Sequence, residues 1–120
     1  MMTEAQVYNL LKNDSGVKAL INERVYPLVA PQNVLKPYIT YRVINGLKIQ
    51  CLGGQIYQGD YLMQLDCYAL TYPNVKAISQ AVKNCLIGFM ASNNINIIDD
   101  YDDETRLFKQ IIDFKIKDKD

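Results

Sequence analysis

Residues 61–91 change hydrophobic period once, and that switch restricts the fold more than any other feature of the chain. From Tyr61 to Leu70 the period is two. Met63, Leu65, Cys67 and Ala69 share one face, with Gln64 and Asp66 on the other, flanked by Leu62 and Tyr68. This pattern predicts a strand with one apolar face. Thr71 then offers an N-cap, and Pro73 stands in the first helical turn, where its missing N–H costs nothing. Val75, Ile78, Val82, Leu86 and Phe89 follow at three- and four-residue steps. They predict a helix ending near Ala91, with Lys76 and Lys83 on its polar side. A half-buried strand running straight into an amphipathic helix calls for a core between two layers.

The remaining segments extend this scheme. Thr3-Glu4-Ala5-Gln6 has the form of a capping box, and Val7, Leu10 and Leu11 continue at helical spacing, predicting a helix from about Thr3 to Lys12. Asn13-Asp14-Ser15-Gly16 interrupts it. Ser15 is the expected cap of a second short turn, in which Val17, Leu20 and Ile21 share a face. Arg24–Leu28 reads as a short extended piece, and residues 30–37 as an irregular connection. Tyr38–Ile44, rich in aromatic and β-branched residues, predicts a strand with Pro37 at its entrance. Ile95–Ile98 opens a strand, residues 99–104 form an acidic connection, and Leu107–Lys117 alternates as the last strand. The expected fold is α+β: a four- to five-stranded, mainly antiparallel sheet with two main helices packed on one face, in one domain spanning residues 1–120. Four of the six glycines fall within residues 45–60, together with Leu47, Ile49, Leu52, Ile56 and Tyr57. A glycine-rich stretch that keeps apolar side chains reads as a hairpin arm, or as a loop that orders against a partner.

Composition removes several function classes. The chain has no His, so Ser-His-Asp and Cys-His nucleophiles and imidazole zinc sites are excluded. Thirteen Lys and Arg balance thirteen Asp and Glu. A nucleic-acid binder normally carries a positive excess, so no nucleic-acid partner is expected. Cys51, Cys67 and Cys85 are odd in number and form no CxxC, which predicts idle thiols in a reducing compartment. No secretory signal and no apolar run of membrane-spanning length is present in the sequence, so no membrane association is expected.

The candidate sites are correspondingly modest. Asp99, Asp100, Asp102 and Asp103 could recruit a divalent cation, but they lack the EF-hand pattern. The competing readings are a solvated turn and an acidic patch facing a basic partner. Gly53, Gly54 and Gly59 do not complete a phosphate-binding motif. Nine tyrosines suit cross-strand packing, interface anchoring or base stacking, the last without a basic groove to support it. Asp66 is the one carboxylate set among apolar neighbours and is expected to be exposed on the polar sheet face. No catalytic residue, cofactor site or metal site is expected.

The order of segments resembles a known family. It starts with Met2-Thr3-Glu4-Ala5-Gln6-Val7-Tyr8-Asn9-Leu10-Leu11 and continues through Gly16–Ile21. Arg24-Val25-Tyr26-Pro27-Leu28-Val29-Ala30-Pro31-Gln32 and Leu35-Lys36-Pro37-Tyr38-Ile39-Thr40-Tyr41 follow. Gln64–Ala69 then leads into Thr71-Tyr72, and Asp99-Asp100-Tyr101-Asp102-Asp103-Glu104-Thr105 precedes the closing strand. This series resembles the tail-completion, or tail terminator, proteins of long-tailed bacteriophages and prophages. The resemblance implies a small non-enzymatic α+β subunit that assembles in the host cytoplasm. It would form a ring, commonly a hexamer, on the head-proximal end of the tail tube, stop polymerisation there and present a surface to the head connector. On that reading the partners are other copies, the tail-tube protein and the head connector. Leu47, Ile49, Leu52, Ile56 and Tyr57 would anchor ring neighbours, and Asp99, Asp100, Asp102 and Asp103 would face the tube or connector. The alternatives are a head-side neck adaptor and a small bacterial ligand-binding domain.

Overall fold

The structure is a computed structural model that describes residues 4–50, 56–90 and 95–116, with the backbone alone at residue 4, residues 45–50, 56–61, 88–90 and 115–116. Three helices, α1 (Glu4–Asn13), α2 (Ser15–Ile21) and α3 (Tyr72–Met90), accompany five strands: β1 (Val25–Pro27), β2 (Tyr38–Gln50), β3 (Ile56–Ala69), β4 (Ile95–Asp102) and β5 (Leu107–Ile116). The sheet order is β1-β2-β3-β5-β4. β1 runs parallel to β2, and the other three pairings are antiparallel. The fold is therefore α+β with a mixed, mostly antiparallel sheet, and three helices stand where two main helices were expected.

The additional helix comes from the break at residues 13–16. α1 ends at Asn13, and α2 begins two residues later. Asp14, not Ser15, is the N-cap: its carboxylate accepts the Val17 N–H at 3.0 Å. An ionised cap also complements the positive end of the helix dipole, which a serine does not. A Cβ on Gly16 would lie 3.2 Å from that carboxylate, so glycine leaves the cap room. Val17 and Ile21 are buried, but Leu20, expected beside them, is 38% exposed. At the start of α3, Thr71 Oγ1 accepts the Asn74 N–H at 3.3 Å, as expected of its cap. Thr3 lies outside the described residues.

One core cluster joins Val7 and Leu11 of α1, Val17 and Ile21 of α2, and Val75, Ile78, Val82 and Leu86 of α3. Against them lie Val25, Ile39, Met63, Leu65, Cys67, Ala69, Ile112 and Phe114 of the strands. The β3 members are the odd-numbered residues that the period-two pattern selects. They pair across the sheet with residues of the same face: Cys67 with Ile39, Met63 with Phe114, Leu65 with Ile112.

β2 and β3 continue past the core as a two-stranded extension, pairing Lys48 with Gln58, Ile49 with Tyr57 and Gln50 with Ile56. Register shifts between Val43 and Asn45 and between Gly46 and Lys48 interrupt the ladder, and such bulges increase twist and bend a hairpin. β4 extends to Asp102, so Asp99, Asp100 and Asp102 belong to a strand rather than to the expected acidic connection. Acidic residues disfavour strands weakly, whereas β5 supplies a register partner for each of them: Gln110, Lys109 and Leu107 respectively. The loop between β4 and β5 shrinks to residues 103–106. The Arg106 N–H donates to the Asp102 carbonyl at 2.7 Å, with Arg106 at φ 59°.

Leu65 is fully buried in the middle of this cluster. Leu65→Ala is expected to cost about 3 kcal/mol through lost transfer energy and the cavity left behind. A lowered urea midpoint with an unchanged slope would record it.

Candidate functional site

The acidic segment lies on the outer strand of the sheet. Asp99, Asp100 and Asp103 are exposed and Asp102 is half-buried, with exposed Ile98 before them and exposed Tyr101 between them. The four aspartates do different work. The Asp99 carboxylate accepts the Tyr72 hydroxyl at 2.9 Å and the Gln110 side-chain amide. Gln110 in turn accepts from the hydroxyl of Ser79. A hydrogen-bonded chain thus runs from α3 through β5 to β4 and back to α3. Gln110 and Ser79 are both buried. The Gln110 amide and the Tyr72 hydroxyl hold the Asp99 carboxyl below its usual range, opposed by partial desolvation and assisted by Lys76. The Lys76 ammonium lies 5.3 Å from the Tyr72 ring centroid, which gathers Lys76, Tyr72 and Asp99 at one end of α3.

Asp102 organises the β4–β5 turn. Thr105 and the Glu104 N–H lower its carboxyl, and the N–H donates at 3.0 Å. Asp100 accepts the N–H of its neighbour Tyr101 at 2.8 Å. Asp99 and Asp102 therefore hold the strand and turn together, while Asp100 and Asp103 present their charge outward. Among the described residues no group of three or more His, Cys, Asp or Glu is placed to hold a metal ion.

The predicted arm anchors lie across the sheet from these acids. Ile49 and Tyr57 are register partners, Ile56 faces Gln50, and Leu47 sits at the register shift between Gly46 and Lys48. Leu52 lies outside the described residues. The structure does not bring the arm and the acidic strand of one chain together, because β3 and β5 stand between β2 and β4. That separation is about 14 Å at ordinary strand spacing.

Asp66 differs from its expected exposure. It lies on the face of β3 opposite the core, but its side chain is only 13% exposed and pairs with Lys109 at 3.5 Å. Gln64 donates to it at 2.8 Å. Burial works against the Lys109 ammonium, yet Asp66 and Tyr68 together keep its pKa raised. Tyr38 and Tyr68, cross-strand partners, stack with centroids 4.8 Å apart. Tyr72 and Tyr101 both pack against Phe108, and Tyr8 packs against Tyr41 with centroids 5.7 Å apart, so six of the nine tyrosines serve packing. Cys67 is buried in the core, where its thiol is pushed well up, and burial with Asp14 nearby pushes Cys85 up to about 12. Both thiols are poor nucleophiles as a result.

Two features were not anticipated from sequence. Gln110 occupies a core-side position of β5, and the only trace of it was a polar residue interrupting the apolar parity of that strand. The connection after β1 exposes Leu28, Val29 and Leu35 at 71–76%. From sequence Leu28 reads as the end of a short extended piece and Leu35 as part of the irregular connection 30–37, and neither reading marks an exposed apolar cluster.

The lowered Asp99 carboxyl stabilises the fold above the ordinary carboxylate range, and that contribution is lost as pH falls through the folded-state value. In Tyr72→Phe the Asp99 carboxyl is expected to titrate closer to its usual position. NMR titration would read this directly, and an earlier loss of stability on acidification of wild type than of Asp99→Asn would accompany it.

No curated protein matches the chain. Among solved structures, a chain of a native gene transfer agent virion particle has the same fold, with a TM-score of 0.73 at 17% identity, over 92% of this chain and 90% of that one. The family model described as tail completion protein gp17 matches residues 5–117. With that match covering nearly its whole length, the chain belongs to the phage tail-completion protein family.

Proposed function

We propose that this protein caps the end of the phage tail tube as a ring of identical copies, stops tail polymerisation there and offers the surface to which the head connector joins. It acts by complementary surfaces and not by catalysis. It is made in the host cytoplasm and ends at the head-proximal end of the tail. Family membership across residues 5–117 is the observation that carries this reading. Two surface features suit it. The β2–β3 arm projects past the core, with Leu47, Ile49, Ile56 and Tyr57 along it and Leu52 beyond Gln50 in sequence. The β4 edge carries Asp99, Asp100 and Asp102 with Asp103 in the adjoining turn, a surface for a basic neighbour. Apolar anchors of this kind usually carry most of the energy of a contact between subunits.

Deleting the gene in the parent phage and measuring tails by electron microscopy tests the reading. Over-long or ragged tails without heads are the expected result. Tails of correct length that fail to join heads would assign the protein to the head side of the neck. Normal tails joined to heads would overturn the proposal. At the residue level, Ile56→Ala with Tyr57→Ala is expected to weaken association of copies about tenfold or more while leaving the circular dichroism spectrum unchanged. Unfolding of that variant would instead place the arm in the core.

A further inference from the structure

The two outer edges of the sheet are chemically unequal. β1 is blunted as a template for another strand. Pro27 has no N–H to offer. The Val25 N–H donates to the Glu23 carbonyl at 2.9 Å, and the Val29 N–H to the Pro27 carbonyl at 2.7 Å. β1 spans only three residues and covers β2 only from Ile39 to Tyr41. From Arg42 to Gln50 the outer edge of β2 therefore has no strand partner among the described residues. Val43 and Ile44 at its start are 37% and 45% exposed. The outer edge of β4 is likewise unpaired along Ile95–Asp102. Each molecule thus carries two open edges on opposite sides of one sheet.

Their charges are complementary. The β2 edge holds Arg42 and Lys48 and no acid, whereas residues 95–104, the β4 edge and the first half of its turn, hold five acids and no cation, Arg106 closing the turn. Their lengths also match, eight residues in β4 against nine in the open part of β2. Parallel pairing of β4 with β4 of another copy would place these acids against each other, and antiparallel pairing would set them against Ile95–Ile98 with no cation to meet them. We propose that the β4 edge of one copy receives the β2 edge, Arg42–Gln50, of the next copy, so that the sheets of neighbouring copies are continuous. This rests on the ring reading above and makes the partner of the acidic edge another copy, in place of the tube or connector. The observed strand directions set the geometry. β2 is antiparallel to β3, β3 to β5 and β5 to β4, so β4 and β2 of one sheet run in opposite directions. Copies related by rotation about an axis along the strands therefore meet β4 to β2 antiparallel. The contact is head-to-tail, the type that closes into a ring when the rotation allows.

The test uses the full-length protein assembled on tail tubes, with isotope-labelled and unlabelled copies mixed so that links between copies are distinguishable. A carbodiimide forms a zero-length amide between an amine and a carboxylate. Overlap of the two open edges in this antiparallel sense sets Arg42 opposite Asp102 and Lys48 opposite Asn96. Within one chain Arg42 and the β4 acids are separated by about three strand spacings, some 14 Å, out of reach of such a link. Mass spectrometry of the Arg42→Lys protein is expected to find the introduced amine joined to Asp100, Asp102 or Asp103 of a different copy. Arg42→Glu is expected to weaken association of copies about tenfold. Adding Asp100→Lys and Asp103→Lys to the same chain should restore it to within about threefold, the size expected when a cross-strand pair changes from repulsive to attractive. Unchanged urea midpoints would show that all variants fold. Assembly that proceeds without these links and ignores Arg42→Glu overturns this edge pairing and leaves the ring reading standing. Links from the β4 acids to the tube protein or connector overturn it in favour of those partners. Failure of copies to associate on tail tubes at all overturns the ring reading together with the pairing.

Discussion

The parity of β3 governs the molecule. Met63, Leu65, Cys67 and Ala69 are each fully buried, and the residues between them are half-covered on the opposite face. A slip of one residue would move Gln64 and Asp66 into the core and expose four apolar side chains. Burial of a Leu or Met side chain is worth about 1.5–3 kcal/mol, so no alternative register competes. β2 and β5 take their registers from β3 on either side, β4 takes its own from β5, and the apolar stripe of α3 closes over the resulting face. Even the half-buried Asp66–Lys109 pair follows from this, because parity places Asp66 beside β5 on the second face.

The polar chain through Ser79, Gln110 and Asp99 solves a different problem. β4 is an edge strand held by one neighbour, and its sequence from Asp99 onward is a poor strand former. The ladder alone would hold it weakly. Gln110 links it to α3 through Ser79, and Tyr72 reaches it from the first turn of the same helix. Because Gln110 and Ser79 are buried, leaving either without its partner would carry the desolvation cost of an unsatisfied polar group, about 1–3 kcal/mol. The acidic edge is therefore kept straight and in register by contacts behind it, and its outward charges are presented from a fixed scaffold.

Elements whose apolar residues keep one period were legible from sequence. The strand at 61–69 and the helix from 72 onward followed directly from periodicity, and Thr71 was identified as the cap from its residue type and place. Where a residue's role depends on a partner distant in the chain, periodicity carries no information. Asp14 outcompetes Ser15 as a cap through charge and local geometry. Residues 99–102 become a strand because β5 pairs with them, against their own propensity. Asp66 loses its exposure because Lys109, forty-three positions away, folds over it. The arm was recognised as a candidate surface from glycines beside apolar residues, but its hairpin pairing required the register of β2 against β3.

Zero net charge also concealed an uneven distribution. Residues 99–104 contain five acids, so the other 114 residues carry thirteen cations against eight acids. A chain that is neutral overall is thus locally polarised across its sheet. That arrangement guards against promiscuous edge pairing. Pro27 and the short span of β1 block one edge, and carboxylates deter like copies from stacking on the other, both recognised protections of exposed strands. What escapes both protections is pairing between unlike edges, basic against acidic, in one relative orientation. An edge strand left fully neutral would accept almost any extended chain, and one fully blocked would accept none. The division between β1, β2 and β4 leaves room for association while restricting its direction.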